Sequence, residues 1–213
     1  MKLLVDVDGP LLDVQPAYWH AYQQAVSELG LARIDPAGFW RLVRSAASDG
    51  VLLRDSKPRH WKVFRERFAA LLDVDECVAH MVLQPGAPRL TSARPRLTVQ
   101  LLTLHGNAAA RQQVLSPLGP IGPPIVSLAA SAEDRVRCLL VMADRRERSL
   151  VLAGHDRLVR AAGDAGLPCV GIANGPRTAK CLTQAGASHT FPDLESLLER
   201  MRGGPDGLEI ARR

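Results

Sequence analysis

Apolar residues recur along this chain in two rhythms. From Ala17 to Leu29 and from Arg59 to Leu72 they return every three or four residues, the spacing of one helix face, with Gly30, Pro36, Gly50 and Pro58 as breaks. Elsewhere they form short unbroken runs. Leu3-Leu4-Val5 opens the chain, and Thr98 to Leu104, Pro124 to Leu128, Leu150 to Ala153 and Cys169 to Ile172 follow the turn at Gln84-Pro85-Gly86-Ala87. Unbroken apolar runs of this length are strands buried on both faces. Helical stretches over Ala108 to Leu115, Glu133 to Met142 and Arg157 to Ala165 separate them. Such alternation predicts an α/β fold, a doubly wound parallel sheet with helices on both faces.

The aromatics divide the chain further. Tyr18, Trp19, Tyr22, Phe39, Trp40, Trp61, Phe64 and Phe68 share one early segment, and Phe191 stands alone outside it. Two cores of different composition follow: an α/β core over residues 1–14 and 82–202, and a helical insert over 15–81, with a frayed tail at 203–213. A hydrophobic content of 46% in 213 residues is enough for both. Cys77, Cys138, Cys169 and Cys181 lack metal-type pairing and read as reduced thiols. No apolar run approaches the roughly 18 residues of a membrane span. An acidic pair stands where a signal peptide would continue its apolar region, so the expectation is a soluble cytoplasmic protein with no membrane partner.

The net charge of +5 and a pI near 9.4 change this picture little. The arginines are scattered along helices among acids, which describes a solvated surface, with an anionic small substrate as a second use. A basic stripe interleaved with aromatics is missing, so nucleic acid is not an expected partner. No pattern fixes the oligomeric state.

The first strand delivers Asp6 and Asp8 into a turn at Gly9-Pro10. Side chains two apart on an extended chain point the same way, so both carboxylates can converge on one cation or electrophile. Carboxylates that close repel unless something positive lies between them, and Mg2+ suits oxygen ligands. The alternative is an acidic turn after a buried strand.

Leu4-Val5-Asp6-Val7-Asp8-Gly9 resembles the first motif of the haloacid dehalogenase-like (HAD) phosphatases, and later segments follow that family's order, closest to its phosphoglycolate phosphatase-like subgroup. The resemblance implies a HAD-like, Rossmann-type core, finished by helix, short strand and helix over Cys181 to Met201, and makes the insert a cap over the active site. It implies Asp6 as nucleophile, Asp8 as acid and base, Mg2+ as cofactor, and Thr103 as the phosphoryl-binding hydroxyl, with backbone N–H groups from Leu104 to Asn107. His105 and Asn107 are either substrate contacts or members of a solvent-facing loop. Pro10 replaces the family's usual Thr or Val. The metal-free dehalogenase branch lacks the second carboxylate, so Asp8 favours phosphoryl chemistry.

Two later motifs depart from the family. Ser131-Ala132-Glu133-Asp134-Arg135 lacks the charge-neutralising Lys, leaving Arg135 or Arg137 as substitutes or as surface residues. Leu152-Ala153-Gly154-His155-Asp156-Arg157 has His155 at the usual acidic position. Asp156 is then either a third metal ligand with Asp6 and Asp8 or a helix N-cap, and His155 is the weaker choice because imidazole suits later metals. Lys57, Arg59 and His60, in the basic turn from Asp55 to His60, suit either an anion or solvent. The expected function is a Mg2+-dependent phosphohydrolase acting on a small phosphorylated metabolite through an aspartyl-phosphate. The alternative is a catalytically weak or inactive HAD-like protein that binds a phosphorylated ligand or a protein partner, and a dehalogenase-like hydrolase ranks third.

Overall fold

The computed structural model describes residues 1–54, 57–92, 97–119, 123–128, 131–143 and 148–202; the tail from residue 203 lies outside them, as do Asp55 and Ser56. The chain opens with β1 (Lys2–Asp6) and a two-residue strand, β2 (Leu12–Asp13). Five helices follow: α1 (Gln15–Glu28), α2 (Pro36–Arg44), α3 (Asp49–Leu53), α4 (Pro58–Leu71) and α5 (Asp75–Val78). β3 (Val82–Leu83) then pairs antiparallel with β2 and returns the chain to the base of the insert. The remainder runs α6 (Ala87–Ser92), β4 (Thr98–Thr103), α7 (Ala108–Val114), β5 (Val126–Ser127), α8 (Ala132–Met142), β6 (Ser149–Ala153), α9 (Asp156–Asp164), β7 (Cys169–Ile172), α10 (Ala179–Ala185), β8 (His189–Phe191) and α11 (Leu194–Arg202).

Six strands form one parallel sheet in the order β5-β4-β1-β6-β7-β8. Alternate residues of each strand enter different cores, as the two-residue period of a strand requires. Leu3, Val5, Leu101, Leu150 and Leu152 pack with Leu90 of α6 and Leu197 of α11, whereas Leu4, Leu102, Val151 and Ala153 pack with Leu139 of α8 and Leu158 of α9. Both faces are covered, which explains why the strands read as unbroken apolar runs. β1 lies at the centre, with β4 and β6 on either side. In such sheets ligands bind beyond the carboxyl ends, where neighbouring connections diverge.

Three of the breaks expected in the insert lie inside helices instead, Gly50 in α3 and Pro36 and Pro58 at the starts of α2 and α4. Pro36, expected as a break, begins a helix: Asp35 caps α2 by accepting from the Gly38 N–H at 2.8 Å, and proline is tolerated in a first turn. Tyr22 stacks on Phe39 with ring centroids 4.4 Å apart, and this aromatic core is continuous with the α6 and α11 side of the sheet. β5 is shorter than the run from Pro124 to Leu128, because Pro123 and Pro124 have no N–H to give the ladder and the Pro124 carbonyl accepts from the Gln100 side chain. No described helix is long and apolar enough to cross a membrane.

Candidate active site

Three strand ends meet where β1 stops. Gly9 adopts φ +108°, and a Cβ on it would lie 2.8 Å from the Gly175 Cα in the loop after β7. A Cβ on Gly154, after β6, would lie 2.5 Å from the main-chain oxygen of Asp8. Only glycine permits either approach. Together they draw the β1, β6 and β7 loops around Asp6 and Asp8.

Asp6 is 1% exposed. Its Oδ1 accepts from the Asp8 N–H at 3.2 Å and its Oδ2 from the Gly154 N–H at 3.1 Å. Burial holds its pKa well above the carboxylate range and the charge of Asp8 adds to this, against the two N–H bonds. Among the described residues Asp6 forms no ion pair. Asp8 is different: its Oδ2 accepts from the Thr103 hydroxyl, and its Oδ1 accepts from Arg111 Nε at 2.9 Å. Burial works to raise Asp8, but Arg111, and after it His105 and Thr103, outweigh burial and hold its pKa below the ordinary value.

Arg111 did not figure among the sequence-level candidates. It lies on α7, fully buried, and its Nη1 and Nη2 donate to the carbonyls of Asn107 at 3.1 Å and Leu72 at 3.2 Å. One signal was available. Four residues before the buried Leu115 and beside the buried Ala110, an arginine falls on the inward stripe of its helix.

The loop from Leu104 to Asn107 is arranged differently from its expected role. Leu104 packs into the core between the sheet and α8 and α9, and the His105 N–H donates to Thr103 Oγ1 at 3.2 Å. The N–H groups of Gly106 and Asn107 donate, at 3.0 and 3.3 Å, to the carboxylate of Asp73 in the insert. Asn107 caps α7 and gives its amide to the Asp73 carbonyl at 2.8 Å and Asp75 Oδ1 at 2.6 Å. The loop therefore clamps the insert, because Asp73 supplies the anion that its N–H groups favour. Burial, offset in part by Asp8, keeps the His105 pKa low, and its ring meets Tyr18 of α1 edge-on at 6.4 Å.

Asp156 is the first residue of α9, and the N-cap is His155, whose ring accepts from the Arg157 N–H. The capping alternative for Asp156 is thereby corrected: as the first helical residue it faces the positive end of the helix dipole instead. Its carboxylate lies 2.7 Å from Arg177 Nε, 2.9 Å from His155 Nδ1 and 3.1 Å from Arg160 Nη1. Burial opposes its ionisation, but the neighbouring His155 ring and Arg177 prevail and lower its pKa. Burial pulls the pKa of His155 down to about 4. Arg177 also donates to the Val43 carbonyl at 2.9 Å, and the Thr178 N–H donates to the Arg44 carbonyl at 3.1 Å, so this loop clamps the end of α2.

Arg135 sits in the first turns of α8, with Arg137 paired to Glu133 at 2.7 Å on the surface. The cations bonded to Asp8 and Asp156 come from α7, α9 and the β7 loop instead. Lys57, exposed, stands at the N-cap position of α4 without a side-chain capping bond, and Arg59, also exposed, lies in its first turn. For a divalent cation the donor set is incomplete. Asp6 and the Asp8 carbonyl offer the right oxygens, yet both oxygens of Asp156 are engaged, and no group of three His, Cys, Asp or Glu able to hold a metal occurs among the described residues.

No protein-family model matches the chain, and no curated protein matches it. Solved structures do. A predicted phosphatase from Clostridium acetobutylicum aligns with a TM-score of 0.71 at 16% identity, over 94% of this chain and 97% of its own. CbbY from Rhodobacter sphaeroides, in complex with phosphate, aligns at 0.61 and 22% identity over 98% of each chain. A HAD family hydrolase from Deinococcus radiodurans, with bound phosphate and sodium, aligns at 0.63 and 18% over 94% and 93%. The chain has the HAD-like fold, an α/β core carrying a helical insert.

Proposed function

We propose that this protein is a hydrolase of a small phosphorylated metabolite, with Asp6 as nucleophile and the insert as its cap. One observation carries the reading: at the carboxyl end of the central strand, beneath the insert, a buried carboxylate with no ion-pair partner among the described residues stands beside a second one that is bonded to Thr103 and Arg111. Asp6, as its carboxylate, attacks phosphorus, the bond from phosphorus to the leaving oxygen breaks as the carboxyl form of Asp8 protonates that oxygen, and an aspartyl-phosphate forms. Asp8, now in the ionised form that Arg111 favours, takes a proton from the water that attacks phosphorus, which breaks the bond to Asp6 and releases phosphate. The Mg2+ that the resemblance implies finds only Asp6 and the Asp8 carbonyl, and no step here runs through it.

Phosphate release measured over a panel of phosphorylated metabolites tests this, with Asp6→Asn as control. Loss of a nucleophile is expected to reduce turnover by about 10^4-fold or more. Wild type no faster than Asp6→Asn on every substrate would remove the hydrolase reading. The second reading, a catalytically weak or inactive protein that binds a phosphorylated ligand, is favoured by the contact of Asp73 with the N–H groups of Gly106 and Asn107. Saturable ligand binding without turnover would select it.

A further inference from the structure

The two clamps of the insert share a design. On one side Arg111 joins Asp8 to the carbonyl of Leu72, which ends α4; on the other Arg177 joins Asp156 to the carbonyl of Val43 in the last turn of α2. Helix-end carbonyls lack intrahelical partners and carry the negative end of the dipole, so they suit a guanidinium. Both arginines are fixed at two ends, a carboxylate below and a helix end above. Arg111 is wholly buried, and the Arg177 side chain is only 15% exposed, so neither swings into solvent while the insert is docked.

Fixed cations accompany the carboxylates: Arg111 lies 2.9 Å from Asp8 and 3.6 Å from Asp73, and Arg160 and Arg177 lie within 3.1 Å of Asp156. A divalent cation is drawn to clustered carboxylates by uncompensated negative charge and by free oxygens. Here Asp8 and Asp156 are each paired with a guanidinium, and both oxygens of Asp156 already have cationic neighbours.

We propose that the site does not take up a divalent cation, and that Arg111 and Arg177 stand in its place as fixed charges which also hold the insert down. A phosphoryl ligand then enters a site whose cations are already in place, and its affinity is indifferent to Mg2+. That last consequence rests on the hydrolase reading; the exclusion of the cation does not.

Calorimetry on the full chain, stripped with EDTA and dialysed, tests both parts. Mg2+ titrated into wild type is expected to give no binding up to about 10 mM, whereas Arg177→Met, which takes the less exposed of the two arginines away from Asp156, is expected to bind in the millimolar range or tighter. Adding Asp156→Asn to Arg177→Met should abolish that gain. Wild type binding Mg2+ below about 1 mM, or folded Arg177→Met binding no better than wild type, overturns the proposal. Orthophosphate titrated into wild type needs no variant: equal affinity with EDTA and with Mg2+ supports the proposal, and a gain of about tenfold or more with Mg2+ overturns it. Orthophosphate binding under neither condition removes the hydrolase reading, while the Mg2+ titration still decides this one.

Discussion

Asp8 and Arg111 form a buried ion pair, and such pairs are asymmetric in their consequences. Together they roughly offset their own desolvation, but removing one partner strands the other away from water at a cost of about 3–5 kcal/mol. Arg111→Leu should therefore destabilise the fold by that order in urea unfolding, and Asp8→Asn by less, because the amide oxygen still accepts from Arg111 while its NH2 donates to the Thr103 hydroxyl. Equal stability of Arg111→Leu and wild type would show that Asp8 finds another partner. His155 yields a pH prediction of definite sign. Its folded pKa, about 4, lies below the ordinary 6.5, so the unfolded chain binds the proton more readily. Stability is complete above about pH 6.5 and declines as pH falls from there toward about 4. Melting temperatures of wild type and His155→Gln across that window should converge at its acid end, and parallel curves would remove His155 as the cause.

Between elements, the docking of the insert depends on a few polar contacts at helix ends. The amides of Gly106 and Asn107 both donate to the Asp73 carboxylate, and hydrogen bonds to a charged group are worth roughly 1.5–3 kcal/mol before solvent screening. Asp73 is partly exposed, with a side chain 36% accessible, so the lower part of that range applies. Hydrogen exchange at Gly106 and Asn107 in Asp73→Ala should quicken by about tenfold while the amides of β1 stay protected. Unchanged exchange at those two positions would mean that the other clamp, Arg177 with Val43, holds the insert unaided.

For the whole molecule, the aromatic core of the insert is continuous with one face of the sheet through Val7, Leu11, Leu12 and Val14. Insert and sheet are therefore expected to unfold in one cooperative transition, with calorimetric and van't Hoff enthalpies equal. Two resolved transitions, one of them lost in a chain with a disrupted insert core such as Phe39→Ala, would show separate units instead. The thiols offer an independent check on packing. Burial pushes Cys77 up to about 11 and Cys169 up to about 12, so Cys138 and Cys181 should react with a thiol reagent well before them.

What the sequence determined by itself was periodic or strictly local. Unbroken runs such as Leu150 to Ala153 specify strands covered on both faces, Gly9 specifies a sharp turn after Asp6, and the early cluster of aromatics specifies a second core; each depends on neighbours in the chain. The tertiary structure decided which charges meet. Arg111 is 103 residues from Asp8, Asp73 is 33 from Gly106, and Arg177 is 134 from Val43, so none of these contacts leaves a spacing signature. Read along the chain, Arg135 and Arg137 stand out as candidate cations and Arg111 does not, and only the burial of Arg111 against Asp8 selects it. Asp156 likewise reads as ligand or cap until the β7 loop brings Arg177 to it. A side chain's partner depends on what folds against it, and in a parallel sheet the strands that meet at the centre come from distant parts of the chain.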